Sequence, residues 1–529
     1  MLLLSAISLL AILSVARALP PPRPGTPAFV RPRPSIPHLE APSEELPVVS
    51  RNGTQLPAYT KTYYFNQLID HNNPSLGTFR QQYWHTYEFY EPGGPIILST
   101  PGEVDASGYT SYLTNSTLNG RIAQQLNGST IVLEHRFFGN SNPYPDLSVQ
   151  SFRVHTVQQA ISDLAYFAQN VQLPMPGGDK VAPGKAPWIL IGGSYAGALT
   201  SYAMKKHNSK SDVFYAGYAS SAVVQATVDF WGYFEPIRQS MPANCSADVQ
   251  AVIAHVDSVL ASNDSSQINT LKSTFGLQGL SHNDDFAAAL QQNFFTWQNL
   301  QLDSGPNGDF FKFCDALEVK NGVSAPASGW GLDYALQAWG SFWKNTFYEQ
   351  ICGSDDNDLC LGTYDSTNPY WSYTYAPNAG RSWQWLTCNE FGFNFDGAPA
   401  SQPTIASRFV KAVWSERQCG YHFPGAFGSN SVVASPNAVG LNNLYQGWNT
   451  TAQRLIFANG IRDPWREATV AADGTTNAGS DMQPHLLSDG FHCSDLLVRE
   501  GAASAKVKSV QDSAVSYMAK WIAEWKPTA

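Results

Sequence analysis

The sequence predicts an α/β fold, in which a mostly parallel sheet is covered by helices and interrupted by a helical insertion. Short apolar runs alternate with segments of helical periodicity throughout residues 51–224. Residues 225–444 look helical and contain six of the seven cysteines, and strand-like runs return in residues 445–529. A strand, a sharp glycine-rich turn and a helix follow one another in residues 186–200. These observations predict a core in two parts around a disulfide-containing cap.

Each element of the first core part is predicted from a local pattern. The run 80–90 (RQQYWHTYEFY) alternates aromatic and polar residues, as a half-exposed strand does. The runs 95–99 (PIILS) and 130–136 (TIVLEHR) are short and mainly apolar, which predicts buried strands. Apolar residues recur at helical spacing in 157–171. The run 188–191 (WILI) follows a proline and is the next predicted strand.

The remaining elements are predicted in the same way. The run 214–224 (FYAGYASSAVV) predicts one more buried strand, and 246–260 in the insertion predicts a helix, as does the segment 285–299. After the insertion, 454–458 (RLIFA) and 482–487 predict strands, and 507–525 predicts a long closing helix.

Composition excludes several functional classes. The chain of 529 residues carries a net charge of −10 and only 14% charged residues, so it lacks the basic stripe that nucleic acids require. No apolar run after the N-terminal segment approaches the ~20 residues of a transmembrane helix, so we expect no membrane partner. No cysteine pair has the Cys-x-x-Cys spacing of a zinc site, and we expect neither a metal nor a cofactor.

The N-terminus predicts an exported protein. Residues 2–15 are almost wholly apolar and precede Ala16-Arg17-Ala18, so we interpret residues 1–18 as a signal peptide. The expected destination is the extracellular space, with the vacuole or lysosome as the alternative. Residues 19–50 are rich in proline and have no apolar periodicity, which predicts a pro-segment or a disordered leader.

Sequons and cysteines agree with export. Seven cysteines in an oxidising compartment would mostly form disulfides, and their odd number leaves one thiol unpaired. Six Asn-x-Ser/Thr sequons are candidate glycosylation sites: Asn52, Asn115, Asn127, Asn244, Asn263 and Asn449.

The turn GGSYAG at 192–197 carries the candidate nucleophile, Ser194. Small residues stand two before and two after it, at Gly192 and Ala196, as the crowded backbone of the nucleophile elbow of α/β-hydrolases requires. Taken alone, the motif fits an ordinary glycine-rich connection equally well. Whether Ser194 is a nucleophile therefore depends on whether the chain also supplies the acid and the histidine of a catalytic triad.

The expected partners of Ser194 lie on late loops. The fold requires an acid after a late strand and then a histidine. Asp463 follows the predicted strand 454–458, and His492 follows the predicted strand 482–487, 492 − 463 = 29 residues later.

These residues have complementary chemical roles. His492 would take the proton of Ser194 and return it to the leaving amine, while Asp463 would orient the imidazole and stabilise its cation. The amide of Tyr195, with donors near Gly102, would bind the oxyanion.

Three other residues compete for these roles. His135 precedes the elbow and lies inside a predicted strand, which makes it an alternative to His492. Asp489 and Asp495 flank His492, but neighbours on a loop point apart and make poor orienting groups for it.

Four motifs, in this order along the chain, resemble the proline-specific acid serine peptidases: EHRFFG at 134–139, GGSYAG at 192–197, NGIRDPW at 459–465 and GFHCSD at 490–495. That family includes lysosomal Pro-Xaa carboxypeptidase, lysosomal dipeptidyl peptidase and the fungal prolyl endoproteases, which this chain resembles most. The resemblance implies an α/β-hydrolase core with an inserted helical cap and cleavage after proline at acidic pH. By this resemblance, the catalytic positions of the family correspond to Ser194, Asp463 and His492.

The resemblance also implies a proline pocket. Trp465 matches a pocket residue of the family and can stack on a pyrrolidine ring. Phe393 and Ala198 match positions at which relatives carry larger sulfur side chains, so the pocket departs from theirs. Ordinary core packing of the two aromatic rings is the alternative.

Disulfide partners are implied in the same way: Cys245 with Cys314, Cys352 with Cys360, and Cys388 with Cys419. Cys493 then remains free beside the catalytic histidine, where a bulky oxidised adduct should perturb His492.

The sequence thus predicts a secreted serine peptidase that cuts proline-containing peptides on the carboxyl side of proline, as an endopeptidase, at acidic pH. The alternatives are an exopeptidase that removes one residue or a dipeptide, and a secreted lipase or carboxylesterase. At acidic pH a free imidazole is mostly protonated, so either the site lowers the pKa of the histidine or the enzyme works on a small neutral fraction. The oligomeric state is not predicted.

Overall fold

A computed structural model describes residues 32–42, 47–207, 213–429, 432–433 and 435–528. The predicted signal peptide and the first residues of the leader lie outside these ranges. Within them, no helix is long and apolar enough to cross a membrane.

The first core part contains the strands β1 Thr62–Leu68, β2 Thr78–Thr86, β3 Ile96–Ser99, β4 Ser129–Leu133, β5 Trp188–Gly193 and β6 Ala216–Ser220. Its helices are α1 Leu118–Leu126, α2 Val157–Asn170 and α3 Ser194–His207. Helix α2 begins after Thr156, whose side chain accepts a hydrogen bond from the backbone N–H of Gln159 and so caps the helix.

The insertion is mainly helical. Its helices are α4 Phe234–Ser240, α5 Ala243–Ala261, α6 Ser265–Thr274, α7 Asn283–Phe295, α8 Asp309–Glu318, α9 Leu332–Phe342, α10 Tyr348–Cys352, α11 Asn357–Leu361, α12 Ala379–Leu386, α13 Ala412–His422 and α14 Ala438–Tyr445. Six short strands form three pairs: β7 Thr227–Asp229 with β10 Gly392–Asn394, β8 Val319–Lys320 with β9 Val323–Ser324, and β11 Gly428–Ser429 with β12 Val432–Val433.

The second core part contains β13 Leu455–Gly460, β14 His485–Ser488, α15 Val498–Ala503 and α16 Ala505–Glu524. The long helix α16 begins after Ser504, whose side chain accepts hydrogen bonds from the backbone N–H groups of Lys506 and Val507.

One sheet of eight strands unites both core parts, in the order β1-β2-β4-β3-β5-β6-β13-β14. Strand β2 is antiparallel to both of its neighbours, and the other neighbouring pairs are parallel. A parallel sheet brings the carboxyl ends of β5, β13 and β14 to one edge, where ligand sites of open α/β sheets lie. This is an α/β-hydrolase core with an inserted, mainly helical cap that contains disulfides, so the predicted fold class is confirmed.

The central strands are buried on both faces. Leu190 of β5 packs into the hydrophobic cluster that contains α2 and α3, whereas Ile189 and Ile191 pack into the cluster that contains α1 and α16. Strands covered on both sides need apolar residues at every position rather than at alternate ones. This is why the core strands are visible in the sequence as short continuous apolar runs.

Some predicted strands are longer than the observed ones. The predicted strand 130–136 ends at Leu133, because the carboxylate of Glu134 accepts hydrogen bonds from the backbone N–H groups of Asn140 and Ser141 and closes a turn. That turn contains Phe137 in left-handed backbone, with a φ of 65°.

Three disulfides join Cys245 to Cys314, Cys352 to Cys360 and Cys388 to Cys419, which are the pairs that the resemblance implies. Cys493 is a free, buried cysteine. Of the predicted glycosylation sites, Asn52, Asn115, Asn263 and Asn449 are exposed, and Asn127 and Asn244 are half-buried.

Candidate active site

Ser194 lies at the junction of β5 and α3, where the chain turns sharply. Its φ of 62° is left-handed, a conformation that residues other than glycine rarely adopt. The turn also needs small neighbours, because a Cβ atom at Gly192 would lie 2.1 Å from the carbonyl oxygen of Ala196. The structure therefore contains the strand, the strained turn and the helix that the motif predicts.

His492 lies between Ser194 and Asp463. Its Nε2 is 2.7 Å from the hydroxyl oxygen of Ser194, and its Nδ1 is 2.8 Å from a carboxylate oxygen of Asp463. A carboxylate only accepts, so in the neutral imidazole Nδ1 carries the proton and Nε2 accepts from the serine hydroxyl. The backbone N–H of Trp465 donates to the same oxygen of Asp463 at 2.9 Å and fixes the carboxylate.

All three side chains are withdrawn from water: none is more than 1% exposed. Burial disfavours the charged imidazolium, but the Asp463 carboxylate opposes this and raises the pKa of His492 well above 6.5. Of the two routes considered for an acidic optimum, this direction of the His492 pKa favours work by a small neutral fraction.

The two predicted oxyanion donors differ in what they contact. The backbone N–H of Tyr195 donates to the carbonyl oxygen of Pro34, a residue of the leader, at 3.2 Å. The N–H of Gly102 lies 3.3 Å from the hydroxyl oxygen of Thr100 and donates to it. Gly102 nevertheless lies beside the elbow, since a Cβ there would be 3.4 Å from the backbone nitrogen of Ala196. Tyr195 is therefore the donor that already binds a carbonyl oxygen.

Trp465 and Phe393 lie in an aromatic cluster made of Phe230, Tyr233, Phe393, Phe395 and Trp465. The ring of Trp465 stacks on Phe230 at 5.6 Å and meets Phe393 edge to face at 5.3 Å. It lies 6.5 Å from the ring of His492, so the cluster borders the candidate triad. Ala198 is buried in α3 within the larger hydrophobic core.

The residues that compete for catalytic roles have other partners. The Nε2 of His135 is 3.1 Å from the phenol oxygen of Tyr195. Asp495 accepts hydrogen bonds from Tyr218 and Ser220 at 2.6 and 2.8 Å, and Asp489 accepts one from Ser504. The thiol of Cys493 is buried, which raises its pKa.

Several residues of the site were not predicted from the sequence. Gln298 accepts a hydrogen bond from the indole N–H of Trp465 at 2.7 Å and donates one to the carbonyl oxygen of Arg33 at 2.5 Å. A lone glutamine has no sequence signal. Aromatic residues alternate with other residues at Phe391, Phe393 and Phe395, and this pattern predicts a strand with aromatic rings on one face. The pattern does not predict that Phe230 and Tyr233 are the partners of these rings.

Comparisons with known proteins agree on the class. The family model described as serine carboxypeptidase S28 matches residues 67–514. The chain is 36% identical over 482 residues to serine protease vicPa of Bipolaris victoriae (strain FI3), covering 87% of this chain and 88% of that protein. It is 30% identical to a probable extracellular serine carboxypeptidase of Arthroderma benhamiae, covering 84% and 64%.

Two more distant similarities complete the comparison. The thymus-specific serine protease of Homo sapiens is 26% identical over 88% of this chain and 87% of its own length. The structure of a proline iminopeptidase from Mycobacterium smegmatis is 11% identical, with a TM-score of 0.34 over 87% of this chain and 99% of that one.

Proposed function

Because the chain belongs to the serine carboxypeptidase S28 family and is therefore a serine-type peptidase that acts on peptides, we propose that it is secreted and cuts on the carboxyl side of proline. We further propose that it acts as an endopeptidase. The observation that carries the proposal is the buried hydrogen-bonded series of Ser194, His492 and Asp463 beside the aromatic cluster.

The proposed reaction proceeds through an acyl-enzyme. Ser194 attacks the carbonyl carbon on the carboxyl side of proline, and His492 accepts the hydroxyl proton and returns it to the leaving nitrogen. Asp463 holds the imidazole in the required orientation. The N–H of Tyr195 donates to the oxyanion, as it donates to a carbonyl oxygen here.

Proline preference is proposed to arise in the aromatic cluster. The pyrrolidine ring of proline is compact and apolar, and its nitrogen carries no hydrogen in a peptide, so it suits a pocket walled by aromatic rings rather than by hydrogen-bonding groups. The closeness of Trp465 to His492 supports a position for that pocket directly beside the scissile bond.

A carboxypeptidase is the second candidate, and both the family description and one relative's name favour it. A free cation beside the triad would suit the terminal carboxylate of such a substrate. Arg499 lines a cavity of about 330 Å³ beside His492. Its Nε already lies 3.2 Å from Asp303 and 3.3 Å from Glu500, so its charge is compensated, and this supports the endopeptidase.

The test is a product map by mass spectrometry on a proline-rich protein at pH 4 to 5. We expect internal cuts after proline, turnover of Xaa-Pro-Xaa peptides blocked at both ends, and no turnover by a folded Ser194→Ala variant. Cleavage confined to the last residue, abolished by Arg499→Gln, would establish the carboxypeptidase instead. Turnover of p-nitrophenyl esters without peptide cleavage would identify an esterase.

A further inference from the structure

Residues 32–40 of the proline-rich leader lie against the candidate active site. Pro32, Pro34 and Ile36 are buried, whereas Arg33 and Ser35, which alternate with them, are half-buried. Alternating burial is typical of a peptide that inserts every second side chain into a cleft. The leader thus contacts the protein as a ligand does.

The carbonyl oxygen of Pro34 occupies the position expected for the carbonyl oxygen of a scissile bond. Its carbonyl oxygen accepts the hydrogen bond of the Tyr195 N–H at 3.2 Å, and this amide directly follows Ser194. The preceding carbonyl, of Arg33, accepts from the side-chain amide of Gln298 at 2.5 Å. Gln298 also binds the indole of Trp465, so one side chain joins the leader to the aromatic cluster.

The chain after Pro34 is also held by contacts with the core. Ile36 packs so closely on the end of β5 that a Cβ at Gly193 would lie 2.5 Å from its Cγ2. The hydroxyl of Tyr112 donates to the carbonyl oxygen of Pro37 at 2.8 Å, and the hydroxyl of Ser111 donates to that of Glu40. These contacts anchor the leader on both sides of the bond between Pro34 and Ser35.

We propose that the Pro34–Ser35 bond is a processing site which Ser194 cuts in its own chain, and that the uncut leader blocks the substrate cleft. This inference rests on the proposed function, and it names the first substrate of that site. The oxygen of Ser194 bonds to the carbonyl carbon of Pro34, and its proton passes to His492. The bond to the nitrogen of Ser35 breaks as that nitrogen receives the proton. Water then hydrolyses the ester, leaving a carboxylate on Pro34 and a free Ser194.

The contacts of the two carbonyl oxygens distinguish Pro34 from Pro37. The carbonyl oxygen of Pro34 is bound by the amide of Tyr195, whereas that of Pro37 is bound by Tyr112. The N–H of Ser35 donates to the carbonyl oxygen of Arg33 at 2.7 Å, within the leader itself. The leaving nitrogen is therefore held in a tight turn that must open, so this cut is slower than turnover of a free peptide.

The test follows the N-terminus of the full-length protein by mass spectrometry, in parallel with turnover of a blocked Xaa-Pro-Xaa peptide. We expect wild-type protein to yield a chain that begins at Ser35, at a rate independent of protein concentration, while peptide turnover rises in step. Ser194→Ala should keep its leader. Pro34→Ala should slow the cut at least about 10-fold, whereas Pro37→Ala should still be cut after Pro34.

Each contrary result has a distinct meaning. A cut after Pro32 or Pro37 in wild-type protein, or an equally fast cut in Ser194→Ala, overturns the inference. Wild-type protein that hydrolyses the external peptide with its leader intact also overturns it and leaves the proposed function standing. Folded wild-type protein that cuts neither its leader nor the external peptide overturns both proposals.

Discussion

Among the neighbours of His492, Asp463 has the largest effect on whether its imidazole holds a proton. Burial favours the neutral imidazole, and the Asp463 carboxylate raises its pKa in spite of that burial. Because a general base must be neutral, activity should rise with pH through this raised pKa. An acidic optimum would thus require work from a small neutral fraction of the enzyme.

Asp463→Asn tests this dependence. We expect kcat/KM on a peptide with proline before the scissile bond to fall by about 10⁴, because the imidazole loses its orientation. The acidic limb of the pH profile should move to lower pH, since the group that raises the pKa of His492 is gone. Asp489→Asn, whose carboxylate binds Ser504 instead, is the control. An unmoved limb would show that Asp463 does not set the proton affinity of His492.

Trp465 is the residue on which proline preference should depend most. Trp465→Ala removes the ring of the aromatic cluster that lies 6.5 Å from His492, and pocket contacts of this kind are worth about 1–3 kcal/mol. We expect kcat/KM for proline substrates to fall by about 10- to 200-fold, and the ratio of proline to alanine substrates to fall with it. Tyr375→Ala, at a ring that is 72% exposed, should change neither. Equal losses on both substrates would assign Trp465 to core packing.

At the scale of elements, the junction of β5 and α3 is packed so closely that it leaves no room for a side chain at Gly192. A Cβ at Gly192 would meet a backbone oxygen at 2.1 Å, and a backbone atom cannot rotate away as a side-chain end can. We expect Gly192→Ala to destabilise the fold by about 1–3 kcal/mol or more, read from urea unfolding. Gly380→Ala, where the nearest atom is 3.5 Å away, should change stability little. Equal stability of both variants would contradict the tight turn.

Elements and the candidate triad were predictable because their signals are local. A strand covered on both faces is an apolar run wherever it occurs, so 188–191 and 454–458 were recognisable, and the fold then required an acid and a histidine on the late loops. Gln298 and Phe230 were not predictable, since their roles depend on contacts with residues far along the chain, such as Trp465. Residues 32–40 have no apolar periodicity, and their placement depends on contacts with the site, such as those of Arg33 and Pro34.

At the scale of the whole molecule, the fold buries several acids at once. Burial raises the pKa of Glu103 to about 8, of Glu134 and Glu390 to about 7 and of Asp495 to about 6. Burial also lowers the pKa of several histidines, among them His85 to about 3 and His135 to about 4. Below pH ~6.5, the buried acids and these buried histidines change the free energy of unfolding in opposite directions as pH rises. Above pH ~6.5, these histidines are neutral in both the folded and the unfolded chain and have no such effect.

The free energy of unfolding should therefore fall as pH rises from about 6.5 to about 8.5. An unfolded glutamate has a pKa of ~4.3 and an unfolded histidine one of ~6.5, so in this range the buried acids and His492 both make the folded chain bind more protons than the unfolded one. The stability is lost as pH passes their raised folded pKa values. The melting temperature of the Ser194→Ala variant, measured across this pH range, reports this effect. We use this variant because its leader should stay uncut at every pH. Adding Glu103→Gln should flatten the decline, whereas adding Glu91→Gln, at an exposed side chain, should not. A melting temperature that rises toward pH 8.5 would mean that these acids are ionised in the folded protein.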